Sequence, residues 1–529
     1  DLQTYHGYGI QNFLEIDPRF GTRQDLRDLV DAAHDRGMYV ILDVIFNHTG
    51  NNFFYRDEIT GEARETMPFR GDPPYQILGW RDKNGQCATR PIDIEDGVWP
   101  IEFQNPDWYA RRGSIGRWEA GPGEDPLSPS VEYRRGDFFD LKDLDTENPQ
   151  ALGALALAYI YWIALSDCDG FRIDALKHVS RMASRRFCGW VREYAVSIGK
   201  ENFLLTGEIT DAQMAVDYLE VPGLNLGAAL DITGTPTALA GMVKGQVDPA
   251  AFMSAYADNT PGGLYRRVGV YYISVVDDHD MSCRPRKERF AANNSIPARY
   301  EQSAHLVGVQ LTIPTIPSIY YGTEQAFDGN EGYHDYTIDA RRFGEDRYIR
   351  EDMFGGPFGA FCTRGCHFFD PNHPTYRRIA ALARVRNRKD SVGLALRRGT
   401  AYGREVCRDG QTFAMAVPRG EVVAWALLMF NREVTVALNT HGAEPRGADV
   451  TVDSFLNPAG THLRVLYRGD WSDEQLANPP EDETVPVTHH PDGRASVRVD
   501  LPPAGMILLT RTTELVPRPE MMHGGPRSS

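Results

Sequence analysis

An arginine two residues before an aspartate, in the stretch GFRIDALKH at 170–178, is the feature of this chain best suited to chemistry. A guanidinium beside Asp174 favours the ionised carboxylate and lowers its pKa, as a carboxylate nucleophile requires. The same spacing, taken alone, also describes a structural ion pair. Three further segments shift the balance, because each ends an apolar strand-like run in acidic or histidine side chains: MYVILDVIFNH at 38–48, NFLLTGEIT at 202–210 and VYYISVVDDHD at 270–280. Glu208 stands one strand end beyond Asp174, behind Phe203, Leu204 and Leu205, apolar neighbours that suit a carboxyl holding a proton.

In this order and spacing the four segments resemble the conserved regions of glycoside hydrolase family 13, the α-amylase family. The resemblance extends to YHGY at 5–8, RFGTRQDL at 19–26, DLKDLDTENP at 140–149 and IPTIPSIYYGTEQ, and covers residues 3 to about 385. It implies retaining hydrolysis of α-glucosidic bonds in starch, glycogen or maltooligosaccharides, with Asp174 as nucleophile, Glu208 as acid and Asp280 as the third carboxylate that orients sugar hydroxyls. Such chemistry needs two carboxyls roughly 5 to 5.5 Å apart, one ionised and one protonated. The resemblance also places His6, Tyr8, His48, Arg172, Lys177, His279, Asp346 and Arg350 at substrate-binding positions. Asp43 looks like the family's supporting aspartate, pairing with Arg172.

A structural calcium ion is implied in the same way, held by Asn47, Asp143 and the backbone carbonyl of His178, all hard oxygen donors. Its fourth ligand is expected from the segment 51–136, where Asp93, Glu95, Asp96 and Glu102 are candidates. Asn47 as a turn residue and Asp143 beside a helix cap are the plainer alternatives. Lys142 stands where the family usually has proline, Gly9 replaces an aromatic residue, and Asp278 replaces the asparagine common before HD. His279, Asp280 and Met281 form an HDM also found in cyclodextrin glucanotransferases. An α-glucan transglycosylase is therefore the second reading, and a non-catalytic glucan-binding homologue a third.

These residues need a scaffold of strand ends. Residues 22–36 read as a helix, with Thr22 and Asp25 able to cap its start, an apolar face of Leu26, Leu29, Val30 and Ala33, and Gly37 at its end. The run Met38–Phe46 then reads as a parallel strand covered on both faces. Strand and helix alternate again at 151–174, 190–209 and 301–321, which predicts an α/β fold, a (β/α)8 TIM barrel. Strands two to eight are expected near 8–14, 38–46, 170–174, 203–208, 224–231, 269–277 and 315–320. Strand one has no counterpart in the sequence, so the chain reads as part of a longer one, which alone would be insoluble or weakly active.

The expected domains are a barrel over 1–50 and 137–395, a loop-rich insertion over 51–136, a C-terminal antiparallel β-sandwich over 396–512, and a disordered tail over 513–529. The insertion carries Trp80, Trp99, Trp108 and Trp118, each able to stack on a sugar or to fill a small core. A chain of 529 residues should form more than one domain. Its net charge of −17 argues against nucleic acid or an anionic membrane as partner and agrees with a neutral polymer. The apolar run at 151–165 is shorter than the ~20 residues of a membrane span and reads as a buried helix. Seven cysteines suggest no disulfide framework, although Cys362 and Cys366 could pair. Extracellular and cytoplasmic locations both remain open.

Overall fold

Thr22 starts the first helix, α1 (Arg23–His34), through a capping box in which its side chain accepts the Asp25 N–H and Asp25 accepts its own. Val30 and Ala33 turn inward, whereas Leu29 of the expected apolar face is 60 % exposed. The computed structural model describes residues 6–89, 93–219, 225–249, 271–280, 288–329, 349–354, 367–415 and 418–512. The chain divides into two compact units, residues 1–230 and 231–529. The expected tail at 513–529 and the cysteines 362 and 366 lie outside the described residues.

In the first unit, β1 (Ile41–Val44) is followed by β2 (His48–Thr49) and by β3 (Phe53–Arg56), β4 (Ala63–Arg64), β5 (Ile77–Arg81) and β6 (Cys87–Ala88). After β7 (Lys142–Asp143) come helix α2 (Pro149–Ser166), β8 (Gly170–Ile173), α3 (Arg181–Ser197), β9 (Leu204–Gly207), α4 (Ala212–Leu219) and β10 (Ala228–Asp231). β1 pairs in parallel with β8, β8 with β9 and β9 with β10, setting Asp43 opposite Arg172 and Arg172 opposite Thr206. α2 is apolar and long enough to pass for a membrane span. It is instead packed: Tyr159 meets Phe171 of β8 and Phe187 of α3, and the Trp162 indole donates to the Phe13 carbonyl.

Two expectations for this sheet need correction. Residues 8–14 form no strand: Phe13 and Trp99 exchange backbone hydrogen bonds with the facing segments, and Gly50 donates to Ile10, so these backbone groups are spent on the residue-99 loop and the β2 end. The run Met38–Phe46 is also not covered on both faces, because Met38, Tyr39 and Ile41 are exposed where β1 has β8 as its one partner among the described residues.

The insertion builds a small antiparallel sheet in the order β4-β3-β5-β6. Its core is aromatic: Phe53 meets Trp80 and Tyr109 edge-on, with centroids 5.8 and 5.2 Å apart. Trp80 and Trp108 are buried. The Trp99 indole donates to the carbonyls of Asp93 and Asp96. β2 and β7 pair antiparallel, His48 opposite Asp143.

In the second unit, after helix α5 (Gly234–Val243), β11 (Tyr272–Val275) pairs in parallel with β12 (Ile316–Ser318), which follows helix α6 (Arg299–Leu311). The expected strands at 269–277 and 315–320 are these. Antiparallel strands run from Thr400–Gly403 to Met506–Arg511, with Val422–Met429, Arg432–Asn439 and Met506–Arg511 side by side. Trp425 on the first of these donates to the Thr312 carbonyl at 2.8 Å. His305 of α6 sits between the Ala504 carbonyl and the Tyr467 hydroxyl, so one apolar core joins helix and sheets. Parallel strands alternating with helices, followed by antiparallel sheets, make the fold a TIM barrel with a C-terminal sandwich.

Candidate active site

Each carboxylate of the site is delivered by a strand end, and one guanidinium gathers them. Arg172 Nη1 lies 2.8 Å from Asp43 Oδ1 of β1 and 2.7 Å from Asp174 Oδ1, just past β8. Its Nη2 lies 3.0 Å from Glu208 Oε2, just past β9. The Tyr8 hydroxyl donates to Asp43 Oδ2 at 2.8 Å, and the Arg172 guanidinium stands 5.8 Å from the Tyr8 ring centroid. Ala175 then takes a left-handed backbone, φ 49°, which for a residue with a Cβ costs energy. That turn aims the Ala175 N–H at Glu208 Oε2, 2.9 Å away, while the Leu176 N–H donates to the Glu208 carbonyl at 3.0 Å. The two carboxyls are thus tied by backbone as well as by Arg172.

The electrostatics differ from the sequence expectation at one point. Burial, and then the Glu208 carboxylate, push Asp174 well above its ordinary value; Arg172 pulls the other way and is outweighed. A second negative charge on Asp174, so close to that of Glu208 and away from water, is what the site disfavours. Burial disfavours the charge on Arg172, but Glu208, Asp43 and Asp174 together hold its pKa well above the usual value. Burial, followed by Asp43, likewise raises Tyr8.

Around this group, His6 accepts the Tyr8 N–H at Nδ1 and its ring stacks on the Tyr8 ring at 5.8 Å. His48 is 2 % exposed, and burial, reinforced by His178, pushes it down to about 3. Lys177 pairs with Glu119 of the insertion at 2.6 Å. His178 bonds the Tyr133 carbonyl through Nδ1, and burial lowers it to about 4. In the second unit, His279 and Asp280 follow β11; Asp280 takes the Asp278 carboxylate at its N–H, and Arg350 Nε donates to the His279 carbonyl at 3.0 Å. Asp346 lies outside the described residues.

The residues expected to hold calcium leave oxygens without partners. Asn47 Oδ1 and both Asp143 carboxylate oxygens are buried and accept no hydrogen bond. The two residues are joined by the Leu144 N–H donating to the Asn47 carbonyl, and Phe138 packs against both His48 and His178, with centroids at 5.9 and 5.0 Å. Burial, then Asp137, raises Asp143 well above a normal carboxyl. A hard cation suits this donor set, although among the described residues no three His, Cys, Asp or Glu side chains converge on one point. Of the fourth-ligand candidates, Asp93 and Glu95 face Lys83 at 3.7 and 3.5 Å, Asp96 accepts the Lys83 N–H, and Glu102 is exposed on a short turn.

Two residues were not anticipated. Asp137 pairs with Lys142 at 3.6 Å with both side chains fully buried, and takes the Tyr55 hydroxyl at 2.7 Å. The lysine in a place usual for proline was the signal for that pair. Glu119 carried no motif, and only the folded insertion brings it to Lys177.

A family model described as the α-amylase catalytic domain matches residues 1–390. An α-amylase of Streptomyces lividans is 26 % identical over 517 residues, which is 94 % of this chain and 52 % of that protein. A cyclomaltodextrin glucanotransferase of Klebsiella oxytoca is 24 % identical over 384 residues, 66 % of this chain and 50 % of its own length. The chain therefore spans about half the length of these curated relatives. Among solved structures, a Geobacillus thermoleovorans α-amylase complexed with acarbose aligns with TM-score 0.59 at 20 % identity, covering 96 % of this chain and 85 % of that one. A three-domain cyclomaltodextrin glucanotransferase aligns with TM-score 0.61 at 21 % identity, covering 96 % and 82 %.

Proposed function

The chain belongs to the α-amylase family, and on that premise we propose that it hydrolyses α-1,4-glucosidic bonds in starch, glycogen or maltooligosaccharides with retained configuration. The observation that carries this reading is the single guanidinium of Arg172 bridging Asp174 and Glu208. The two arms of one fork, at 2.7 and 3.0 Å, set the two carboxyls side by side, the arrangement a retaining mechanism needs, with its carboxyls roughly 5 to 5.5 Å apart.

The reaction starts with a proton on Glu208 and Asp174 ionised. Asp174 then attacks the anomeric carbon as the bond to the leaving oxygen breaks, and that oxygen takes the Glu208 proton. The products are a glycosyl ester on Asp174 and a free sugar hydroxyl. In the second half, Glu208 removes a proton from water, the oxygen attacks the same carbon, and Asp174 departs as carboxylate. Arg172 stays positive throughout and stabilises the carboxylate on either residue. Asp43 and Tyr8 hold the far side of that guanidinium. Asp280 stands in the motif position of the family's third carboxylate. His6, Tyr8, His48, Lys177, His279, Asp346 and Arg350 are assigned to sugar contacts on the same ground.

A structural calcium ion fits Asn47, Asp143 and the His178 carbonyl. The ion would neutralise Asp143 and tie it to Asn47 and to the turn at His178. The second reading, transfer of the glycosyl group to a sugar, is favoured by the likeness to glucanotransferases. Incubation with starch and with maltoheptaose, with products resolved by size, tests the proposal. Shorter chains with new reducing ends support hydrolysis, longer chains support transfer, and unchanged substrate overturns both.

A further inference from the structure

The strand that carries Asp143 also carries a lysine removed from water. Lys142 and Asp143 form β7, and both are buried. The Lys142 ammonium lies 3.6 Å from Asp137 Oδ2, with neither side chain exposed. Its other contacts belong to the insertion: it donates to the Glu65 carbonyl and lies 5.1 and 4.8 Å from the ring centroids of Phe53 and Tyr55. Asp137 in turn accepts the Tyr55 hydroxyl at Oδ2, 2.7 Å away, and the Asp143 N–H at Oδ1, 3.1 Å away. One carboxylate meets both the ammonium and the backbone of the residue expected to hold calcium.

A buried ion pair is seldom the most stable filling for a core, because apolar side chains of similar volume do as well or better. Here the pair has a neighbour that gives it a use. Asp137 has three donors around it, whereas both Asp143 carboxylate oxygens are buried and accept no hydrogen bond. A divalent ion that met two unpaired carboxylates would be held by two negative charges. With an ammonium fixed on Asp137 it meets the net charge of Asp143 alone, and the count of charged ligands is one of the terms that set a calcium site's affinity. An uncharged proline, usual in the family at this position, would leave Asp137 without that counter-ion.

We propose that Lys142 is a built-in counter-ion: it neutralises Asp137, fastens the insertion to β7 whether or not a metal is bound, and lowers the affinity of the adjoining site for calcium. This rests on the reading of Asn47, Asp143 and the His178 carbonyl as a calcium site. The ammonium and the ion divide the two carboxylates between them, one cation each.

The test reads calcium affinity on the full chain, by competition with a chelating dye and by the calcium concentration that half-restores the melting temperature after chelation. Neither readout depends on activity. Lys142→Met, which removes the charge and keeps most of the volume, should bind calcium about tenfold tighter than wild type. The double variant Asp137→Asn with Lys142→Met removes one charge of each sign and should bind within about threefold of wild type, whereas Asp137→Asn alone leaves the ammonium unopposed and should bind about tenfold more weakly. A Lys142→Met chain that folds only in calcium would show the same gain in dependence on the ion. Should that chain fail to fold even then, the double variant decides the point by binding about tenfold tighter than Asp137→Asn. Equal affinity with and without the lysine charge in these comparisons overturns the proposal. No calcium bound by wild type or by any variant overturns the calcium site itself, and the counter-ion role with it.

Discussion

Replacing Arg172 by methionine keeps much of the side-chain volume and removes the cation that three carboxylates share. Asp174 and Glu208 have side chains only 11 and 14 % exposed, and Asp43 is the exposed member at 41 %. Breaking a buried pair from one side costs about 3–5 kcal/mol because the partner's charge stays buried. The loss is limited by protonation, since a carboxyl that cannot stay charged takes up a proton at about 1.4 kcal/mol per unit of pKa shift. The sign of the pH dependence follows. Without Arg172 the native carboxyls bind protons to higher pH than the unfolded chain does, so unfolded-state binding falls short of native-state binding and stability drops as pH rises. Urea unfolding should therefore show the variant about 3–5 kcal/mol less stable than wild type at pH 8, with a clearly smaller gap at pH 5. A variant as stable as wild type at pH 8, or a gap unchanged between the two pH values, would refute the picture of one cation compensating three acids.

Asp174→Asn should abolish turnover while leaving the fold intact, and retention of a tenth of the wild-type rate would remove Asp174 from the nucleophile role. Glu208→Gln should stop cleavage of maltooligosaccharides but be less damaging on nitrophenyl glycosides, which need little protonation; equal losses would argue against the acid. Chelation should lower the melting temperature and calcium restore it, by the equivalent of about 2.7 kcal/mol at a hundred times the dissociation constant; an unchanged curve, with no metal found by elemental analysis, contradicts the ion. His305 is pushed down to about 3 by burial, so below pH 6.5 the unfolded chain takes a proton that the native imidazole refuses. Its share of the stability lost between pH 6.5 and 5 should be about 2 kcal/mol, so His305→Gln should make the slope shallower by that amount while the shares of His48 and His178 remain; an unchanged slope would contradict the assignment.

The motifs were legible because their chemistry sits at strand ends. The Thr22–Asp25 cap and the strands at 41–44, 170–173 and 204–207 carry their own local signals in capping residues and apolar runs. Residues 8–14 misled because an apolar stretch does not say which backbone it will bond, and here the loop around Trp99 takes that place. Asp174 misled in the direction of its pKa: a neighbouring arginine is visible in sequence, but the burial that outweighs it is not. Glu119 was invisible for a related reason, since it matters only through a contact 58 residues away that the insertion's fold creates, and Asp137 was signalled only by Lys142 standing in proline's place.

The pairing of Asp43 with Arg172 and of Arg172 with Thr206 along adjacent parallel strands also bears on how the chain avoids misassembly. Side chains alternate faces along a strand, so sliding β1 by one residue against β8 would turn Asp43 away from Arg172 and leave the guanidinium with Asp174 and Glu208 alone. A mispaired sheet would thus lose the 2.8 Å ion pair between Asp43 and Arg172 and the Tyr8 hydroxyl's bond to Asp43 that the correct one makes. The cluster assigned to catalysis thus also favours one strand alignment over its neighbours, before any substrate is met.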